Sequence, residues 1–339
     1  MLPLSATANP PSEHAMLTDA FGRTVDYLRI SVTDRCDLRC TYCLPKGFKG
    51  FAVPQEWLTI EEIGRVAAAF ARLGTKRFRL TGGEPLLRKG LTDLAAGINR
   101  QSGVEDISLT TNGTQLHKHA HALRQAGVRR LNISLDSLRR DCVQSITGTD
   151  CLPQVLEGIK AAKAEGFERI KINMVPLQGI NDRDLDDMVA FCIEHGFILN
   201  LIEAMPMGET GQAQAKVSLQ PVLADLQRRF DLVPFEGKIG GGPARYWQSR
   251  SGGFTLGLIT PMSQHFCATC NRVRLSATGN IHLCLGQEDK VALRPMLREG
   301  CTDAELEQTI RDAVMKKPEK HEFVENPKKI IRVMALTGG

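Results

Sequence analysis

Long apolar runs are missing from this chain. The longest, near Val66–Ala71, falls far short of the roughly 20 residues that a membrane helix needs, and it lies within a helical pattern. A membrane span is excluded. Lys and Arg are missing from the first twenty positions, which hold Pro3, Pro10 and Pro11 and no sustained apolar stretch. A secretory signal needs a basic start and a transit peptide needs arginines, so neither fits. Residues 1–16 are expected to form a disordered tail, and the protein is expected to be cytoplasmic. No sign of charge dominates either: 43 Lys and Arg against 38 Asp and Glu leave a net +5. So mild an excess does not point to nucleic acid, but it permits an anionic small-molecule substrate. Aromatic residues make up only 5% of the chain, yet 42% hydrophobic content can bury a sizeable core, which excludes a disordered or fibrous chain.

Cysteine, by contrast, is plentiful. Ten in a chain without an export signal point to metal or redox chemistry, because a reducing cytosol does not sustain structural disulfides. Six form two groups: Cys36, Cys40 and Cys43, then Cys267, Cys270 and Cys284. Cys142, Cys151, Cys192 and Cys301 are scattered. Cys192 shares an apolar helical face with Leu185, Met188 and Val189 and reads as core packing.

A length of 339 residues suggests roughly two domains. From about residue 26 to 204, strand patterns alternate with helical ones. The strands are expected at Tyr27–Thr33, Lys76–Thr81, Glu105–Thr110, Arg129–Asp136, Glu168–Val175 and Phe197–Glu203. A helix over Thr59–Leu73 opens with Thr59 as N-cap and Glu62 closing a capping box; another over Asp182–His195 stops at Gly196. Such alternation means a parallel sheet. Each strand has a polar face: Tyr27, Arg29, Ser31; Arg77, Arg79, Thr81; Asn132, Ser134, Asp136; Arg169, Lys171, Asn173. A closed eight-stranded barrel would fill its interior with branched aliphatics. The expected fold is therefore α/β: an incomplete (βα)6 barrel over 17–205 around a polar ligand, with a smaller α+β C-terminal domain over 206–339. Met207–Lys216 and Gly237–Pro243 read as a linker and a loop, and Leu219–Phe230 and Thr302–Lys317 as helices.

The first cysteine group, C-x3-C-x2-C, follows the first strand, at the barrel mouth where such folds build active sites. Three soft thiolates suit zinc or an iron–sulfur cluster. Zinc wants a fourth ligand, and no His or Cys lies nearby in sequence. A four-iron cluster on three cysteines leaves one iron open, as a catalytic metal site requires. The second group, Cys267-x2-Cys270 and then Cys284, fits either a zinc knuckle completed by His265 or His282 or a second iron–sulfur cluster. Arg272 and Arg274 share a strand face just beyond Cys270, as a phosphate clamp would.

With Tyr42 before its last cysteine, the first motif resembles the signature of the radical S-adenosylmethionine (SAM) superfamily. Thr81-Gly82-Gly83-Glu84-Pro85 at the end of the second strand resembles its GGEP motif. From about Leu17 onward the chain is similar to the nucleotide-cyclising members that begin molybdenum cofactor biosynthesis. The similarity runs through 28–36, 79–85, Thr110–Gly113, 132–136, 266–274, 282–285 and Gly338-Gly339.

The resemblance implies two [4Fe-4S] clusters, on Cys36, Cys40 and Cys43 and on Cys267, Cys270 and Cys284, with SAM on the first. It implies that a 5′-deoxyadenosyl radical takes hydrogen from C3′ of GTP, that C3′ closes onto C8, and that a further one-electron reduction follows. The product is (8S)-3′,8-cyclo-7,8-dihydroguanosine 5′-triphosphate. By the same resemblance Tyr42, Gly83, Glu84, Ser134 and Met205 serve SAM. Arg29, Arg79, Thr110, Lys171, Arg272, Val273 and Arg274 serve GTP, and Arg29, Gly338 and Gly339 serve catalysis. The implied partners are GTP, an electron donor and, by product hand-over, cyclic pyranopterin monophosphate synthase; a homodimer stays open, and neither nucleic acid nor membrane is expected. Two other classes remain: a radical SAM peptide maturase with auxiliary clusters, which typically carries more C-terminal cysteines, and a non-enzymatic double-zinc scaffold.

Overall fold

The computed structural model describes residues 16–214, 218–237 and 239–338. All but Met16 of the expected tail, and Gly339, lie outside the described residues. Six strands follow one another: β1 (Tyr27–Ser31), β2 (Arg77–Thr81), β3 (Asp106–Thr111), β4 (Arg130–Ser134), β5 (Arg169–Met174) and β6 (Ile198–Ile202). They pair in that order and all in parallel. Every expected strand is present, with its ends shifted only slightly. The crossovers carry α1 (Ile60–Arg72), α2 (Leu91–Asn99), α3 (Leu116–Gln125), α4 (Arg140–Thr147), α5 (Leu152–Ala164) and α6 (Leu185–His195).

Local chemistry explains the boundaries. Thr59 Oγ1 accepts from Glu62 N at 3.1 Å and the Glu62 carboxylate accepts from Thr59 N at 2.7 Å, so the expected capping box opens α1. Gly196 ends α6 at φ +71°, a left-handed conformation that suits glycine.

The period-two pattern sorts the strands into layers. Leu28, Ile30, Phe78, Leu80, Leu131, Ile133, Ile172, Leu199 and Leu201 are fully buried in the apolar layer that the helices cover. Burial of one such side chain stabilises by about 1.5–3 kcal/mol. The alternate positions Arg29, Ser31, Asn132, Lys171 and Asn200 are buried too, on the opposite, concave face.

The C-terminal part does more than pack against this sheet. It supplies α7 (Gly208–Gln214), α8 (Gln220–Phe230), β7 (Leu232–Pro234), β8 (Arg245–Ser249), β9 (Thr255–Ile259), β10 (Arg272–Leu275), β11 (Asn280–His282), β12 (Lys290–Ala292), α9 (Arg294–Arg298) and α10 (Asp303–Met315). β9 pairs in parallel with β6, and β10 in parallel with β1. One twelve-stranded sheet results, in the order β12-β11-β10-β1-β2-β3-β4-β5-β6-β9-β8-β7. β10 can join β1 because it alternates in the same phase: Val273 and Leu275 continue the apolar layer, and Arg272 and Arg274 continue the polar face.

The segment expected to be a linker at Met207–Lys216 contains α7 instead. Its glycines serve close packing rather than slack. A Cβ on Gly211 would sit 2.3 Å from the Met205 carbonyl oxygen, and one on Gly208 would sit 3.1 Å from Val333 Cγ1. The sequence shows the glycines but not the neighbours that demand them.

Candidate active site

The sheet register assembles the basic lumen. Arg29 on β1 is level with Arg274 on β10 and with Arg79 on β2. Paired positions face the same way, so three guanidinium groups stand in one row across three strands. One step below, Tyr27 is level with Arg272, and the guanidinium carbons of Arg79 and Arg272 lie 5.6 and 6.0 Å from the Tyr27 ring centre. Burial, then repulsion from Arg274 and Arg79, holds Arg29 well below the usual arginine range. Burial, then Arg272, lowers Arg274 to about 10. Burial pushes the Tyr27 hydroxyl up, but Arg79 and Arg29 outweigh it and bring the net shift down. Arg272 and Arg274 are each buried with an Nε that has no hydrogen-bond partner among the described residues. Buried charge is costly without a counter-charge, so the row is built to receive an anion.

A cavity of about 120 Å³ opens at this row. Arg29, Arg79, Thr110 and Met205 from the first six strands and their loops line it, together with Arg272, Arg274, Cys267, Cys270 and Cys284 from the C-terminal part. Thr110 Oγ1 has no partner among the described residues. Two of the expected substrate residues, Lys171 and Val273, do not line it; the Val273 side chain is fully buried in the apolar layer, because it alternates with Arg272 and Arg274.

Lys171 lies deeper. Its Nζ donates to the Ile239 carbonyl at 3.2 Å and to the Tyr246 hydroxyl, and it sits 4.6 Å from the Tyr246 ring centre. Burial, reinforced by Arg79, Arg130 and Arg169, lowers its amine to about 6.

The first cysteine loop leaves β1 and turns tightly, with Cys43 N donating to the Cys40 carbonyl at 2.9 Å. Burial, then mutual repulsion and the nearby carboxylates, raises the thiol of Cys40, and burial raises Cys36 and Cys43 to about 12. Thiols so placed become thiolates when a cation neutralises them. Cys36 Sγ accepts from Leu38 N at 3.4 Å, and Asn112 Nδ2 lies 3.8 Å away while donating to Asp37 Oδ1 at 2.7 Å. Cys40, Tyr42, Asn112 and Ser134 line one small cavity beside this loop, with Asp136, which accepts from the Tyr42 hydroxyl at 2.8 Å. Tyr42 and Ser134, both expected to serve SAM, are thus brought together, whereas Met205 lines the larger cavity.

The GGEP motif has a scaffolding role that its sequence does not announce. Gly83 N donates to the Thr33 carbonyl at 2.8 Å and Glu84 N to the Arg35 carbonyl at 2.7 Å. A Cβ on Gly82 would sit 2.5 Å from the Thr33 oxygen, and one on Gly83 2.2 Å from the Arg35 oxygen. The glycines therefore admit the protein's own backbone just before Cys36. The Glu84 carboxylate, fully buried, accepts from Asn112 N at 2.7 Å, Thr111 Oγ1 at 2.8 Å and Leu86 N at 3.0 Å. Burial raises it to about 7 despite these bonds. It ties the β2 loop to the β3 loop.

The C-terminal tail reaches both loops. Val333 and Ala335 pack with Leu44, Cys36 and Cys43. Gly338, at φ +76°, abuts β2: a Cβ there would fall 2.4 Å from Thr81 Cγ2.

The second cysteine group fits a thiolate cluster on a separate observation. Lys317 is buried, and its Nζ donates to the Leu283 carbonyl at 3.0 Å and to Cys270 Sγ at 3.4 Å. Burial alone would raise the Cys270 thiol, but Arg272 and Lys317 bring it net down. Neither histidine weighed as a zinc ligand completes this set. His265 pairs its Nδ1 with His321 Nε2 at 3.0 Å, and His282 lines a different cavity with Lys290 and Arg332. Among the described residues, no three His, Cys, Asp or Glu side chains converge as ligands of a single ion. Tyr27, Asn112, Asp136, Tyr246 and Lys317 went unassigned in the sequence; Tyr27 and Asp136 had a signal, sharing polar strand faces with Arg29 and Ser134, and Asn112 lies in the Thr110–Gly113 stretch.

Residues 30–192 match the model of the Radical SAM superfamily, and residues 197–323 match that of Molybdenum Cofactor Synthesis C. Streptococcus suis SuiB bound to S-adenosylmethionine shares the fold, with a TM-score of 0.62 at 15% identity over 95% of this chain and 78% of SuiB. Fold and cysteine loop thus define a radical SAM enzyme, a class that uses a [4Fe-4S] cluster and SAM. GTP 3′,8-cyclase of Paracoccus denitrificans is 44% identical over 336 residues, covering 96% of both chains. The enzyme of that name from Ectopseudomonas mendocina is 45% identical over 328 residues, covering 95% of this chain and 98% of its own. The chain belongs to the GTP 3′,8-cyclase family.

Two outcomes follow from this geometry. Gly83→Ala forces the Arg35 carbonyl aside and displaces Cys36. Iron bound after anaerobic reconstitution should fall while far-ultraviolet circular dichroism is kept; full iron loading would contradict the close-approach argument. Lys171 binds its proton more weakly folded, at about 6, than unfolded, at its ordinary 10.5. The unfolded chain therefore holds more protons between those values, and stability of the cluster-free protein rises with pH there, by at most about 1.4 kcal/mol per unit from this group. Anaerobic denaturant unfolding at pH 6.5, 7.5 and 8.5 should show a shallower rise in Lys171→Met; an unchanged slope would refute it.

Proposed function

We propose that this chain carries out the first step of molybdenum cofactor biosynthesis, the radical cyclisation of GTP to (8S)-3′,8-cyclo-7,8-dihydroguanosine 5′-triphosphate. One observation carries the reading. The in-register row Arg274–Arg29–Arg79 and the cysteines Cys267, Cys270 and Cys284 line the same cavity. A triphosphate needs the first and a second cluster beside the purine needs the second.

Cys36, Cys40 and Cys43 would hold the SAM-cleaving [4Fe-4S] cluster, and Cys267, Cys270 and Cys284 a second. Bound at the first loop, cluster and SAM would supply one-electron radical chemistry. The chain's own residues then set geometry. Tyr42, Ser134 and Met205 would hold SAM, and Gly83 and Glu84 fix the loops beside them. Arg29, Arg79, Arg272 and Arg274 grip the phosphates through charge-assisted bonds, with Thr110 at the cavity wall and Lys171 beneath. Gly338 brings the tail against Thr81 at the end of β2, the strand that also carries Arg79.

The electron comes from a separate donor, and the product passes to cyclic pyranopterin monophosphate synthase. A reducing cytoplasm suits ten free cysteines. No described helix is long and apolar enough to cross a membrane.

The decisive test is anaerobic incubation of the reconstituted enzyme with GTP, SAM and a reductant, with product analysis. Absence of the cyclised nucleotide despite SAM cleavage would refute the substrate. Arg274→Ala should weaken GTP binding roughly ten- to a hundredfold, the worth of one bond to a charged group. Guanosine, which lacks phosphates, should bind almost as before. Equal losses for both would show that Arg274 shapes the fold rather than gripping phosphate.

A further inference from the structure

The two cysteine groups sit in opposite electrostatic surroundings. Each cysteine of the second group has a buried cation beside it. Lys317 directs its Nζ to Cys270 Sγ itself, at 3.4 Å. Arg23 donates to the Cys267 carbonyl at 2.9 Å, and Arg332 donates to the Cys284 carbonyl at 3.2 Å. All three side chains are buried. Arg23 is offset by Asp19 at 2.6 Å and Arg332 by Glu288 at 2.9 Å. Lys317 forms no ion pair with a carboxylate among the described residues; its bonds run to the sulfur and to the Leu283 carbonyl.

Around the first group the signs reverse. Glu84 and Asp136 are buried carboxylates, and Asp37 Oδ1 lies 3.9 Å from Cys36 Sγ. Among the described residues the Cys36 sulfur accepts only from neutral donors, Leu38 N and the Asn112 amide. Arg39 does donate to the Cys36 carbonyl, but it is exposed, and water and salt screen it.

Reduction adds negative charge to a cluster. A buried cation bonded to a ligating sulfur favours the reduced form, and buried carboxylates disfavour it. We infer that Lys317 raises the reduction potential of the C-terminal cluster above that of the N-terminal cluster, so that the C-terminal cluster takes the first electron. This rests on the two-cluster reading above. Lys317 is a positioning and tuning residue, distinct from the residues that grip substrate. It acts through Cys270 Sγ, whereas Arg23 and Arg332 reach only backbone carbonyls.

The test is a mediated redox titration of the anaerobically reconstituted holoenzyme, followed by electron paramagnetic resonance alongside iron and sulfide analysis. The triple variant Cys36→Ala/Cys40→Ala/Cys43→Ala assigns the signals. The C-terminal cluster should be reduced at the higher potential. Lys317→Met should lower that potential alone by roughly a tenfold change in the reduction equilibrium, about 59 mV for one electron. Lys317→Arg should keep most of it. If the Met variant fails to load iron, Lys317→Gln keeps a donor without the charge and should show the same fall. A C-terminal cluster reduced at or below the potential of the other, or unmoved in the neutral variants, overturns the inference while leaving the two-cluster reading intact. A wild-type holoenzyme holding a single cluster overturns the reading itself, and the inference with it.

Discussion

Arg274, Arg29 and Arg79 stand level on three adjacent strands, the first two buried and Arg79 half-buried, with like charge facing like charge. In an empty lumen this arrangement opposes folding, since the buried guanidinium groups have left water and repel their neighbours. It persists because the apolar layer behind it is large and continuous: Leu28, Ile30, Phe78, Leu80, Val273 and Leu275 alternate with the charged row and are fully buried. One strand period thus provides both the stabilising face and the strained one. An anion bound at the row would offset this repulsion.

This dependence explains why the C-terminal strands continue the sheet. Two of the lumen arginines come from β10, more than two hundred residues after β1. A domain packed loosely against the barrel would leave their distance from Arg29 to a hinge. Parallel pairing fixes it by backbone hydrogen bonds, to the register Arg29–Arg274. β9 performs the same service at the far edge, extending β6. The cavity between is therefore held at both ends by one sheet.

Much of this was legible in the sequence because strand alternation is local. Arg29, Arg79, Lys171, Arg272 and Arg274 fall on the polar phase of their strands, and each is on the concave side. The same rule reassigns Val273, which shares a motif with its neighbours but not a phase. What period could not show is contact between distant backbones. Gly83 looks like a ligand cradle until the Arg35 carbonyl is seen 2.2 Å from where its Cβ would be. Gly208 and Gly211 look like linker residues until Val333 and the Met205 carbonyl are found against them. The tail gave no sign of where Gly338 would rest. Lys317 was hidden for a related reason: it follows a helix end 47 residues from Cys270, and only tertiary folding brings its amine to the sulfur.

The same contacts join the two halves of the site. Glu84 locks the first cysteine loop to β3, and the tail, anchored by the bonds of Arg332 to the Cys284 and Leu285 carbonyls, ends against Thr81 beside Gly82. The tail thus touches both the second cysteine loop and the strand end that leads into Gly82 and Gly83. The linkage is physical and continuous: Cys284 loop, Arg332, Val333 and Ala335, then the first cysteine loop on one side and Gly338 on the other. Two groups of opposite electrostatic character are held at a fixed spacing by hydrogen bonds and close packing rather than by a flexible linker.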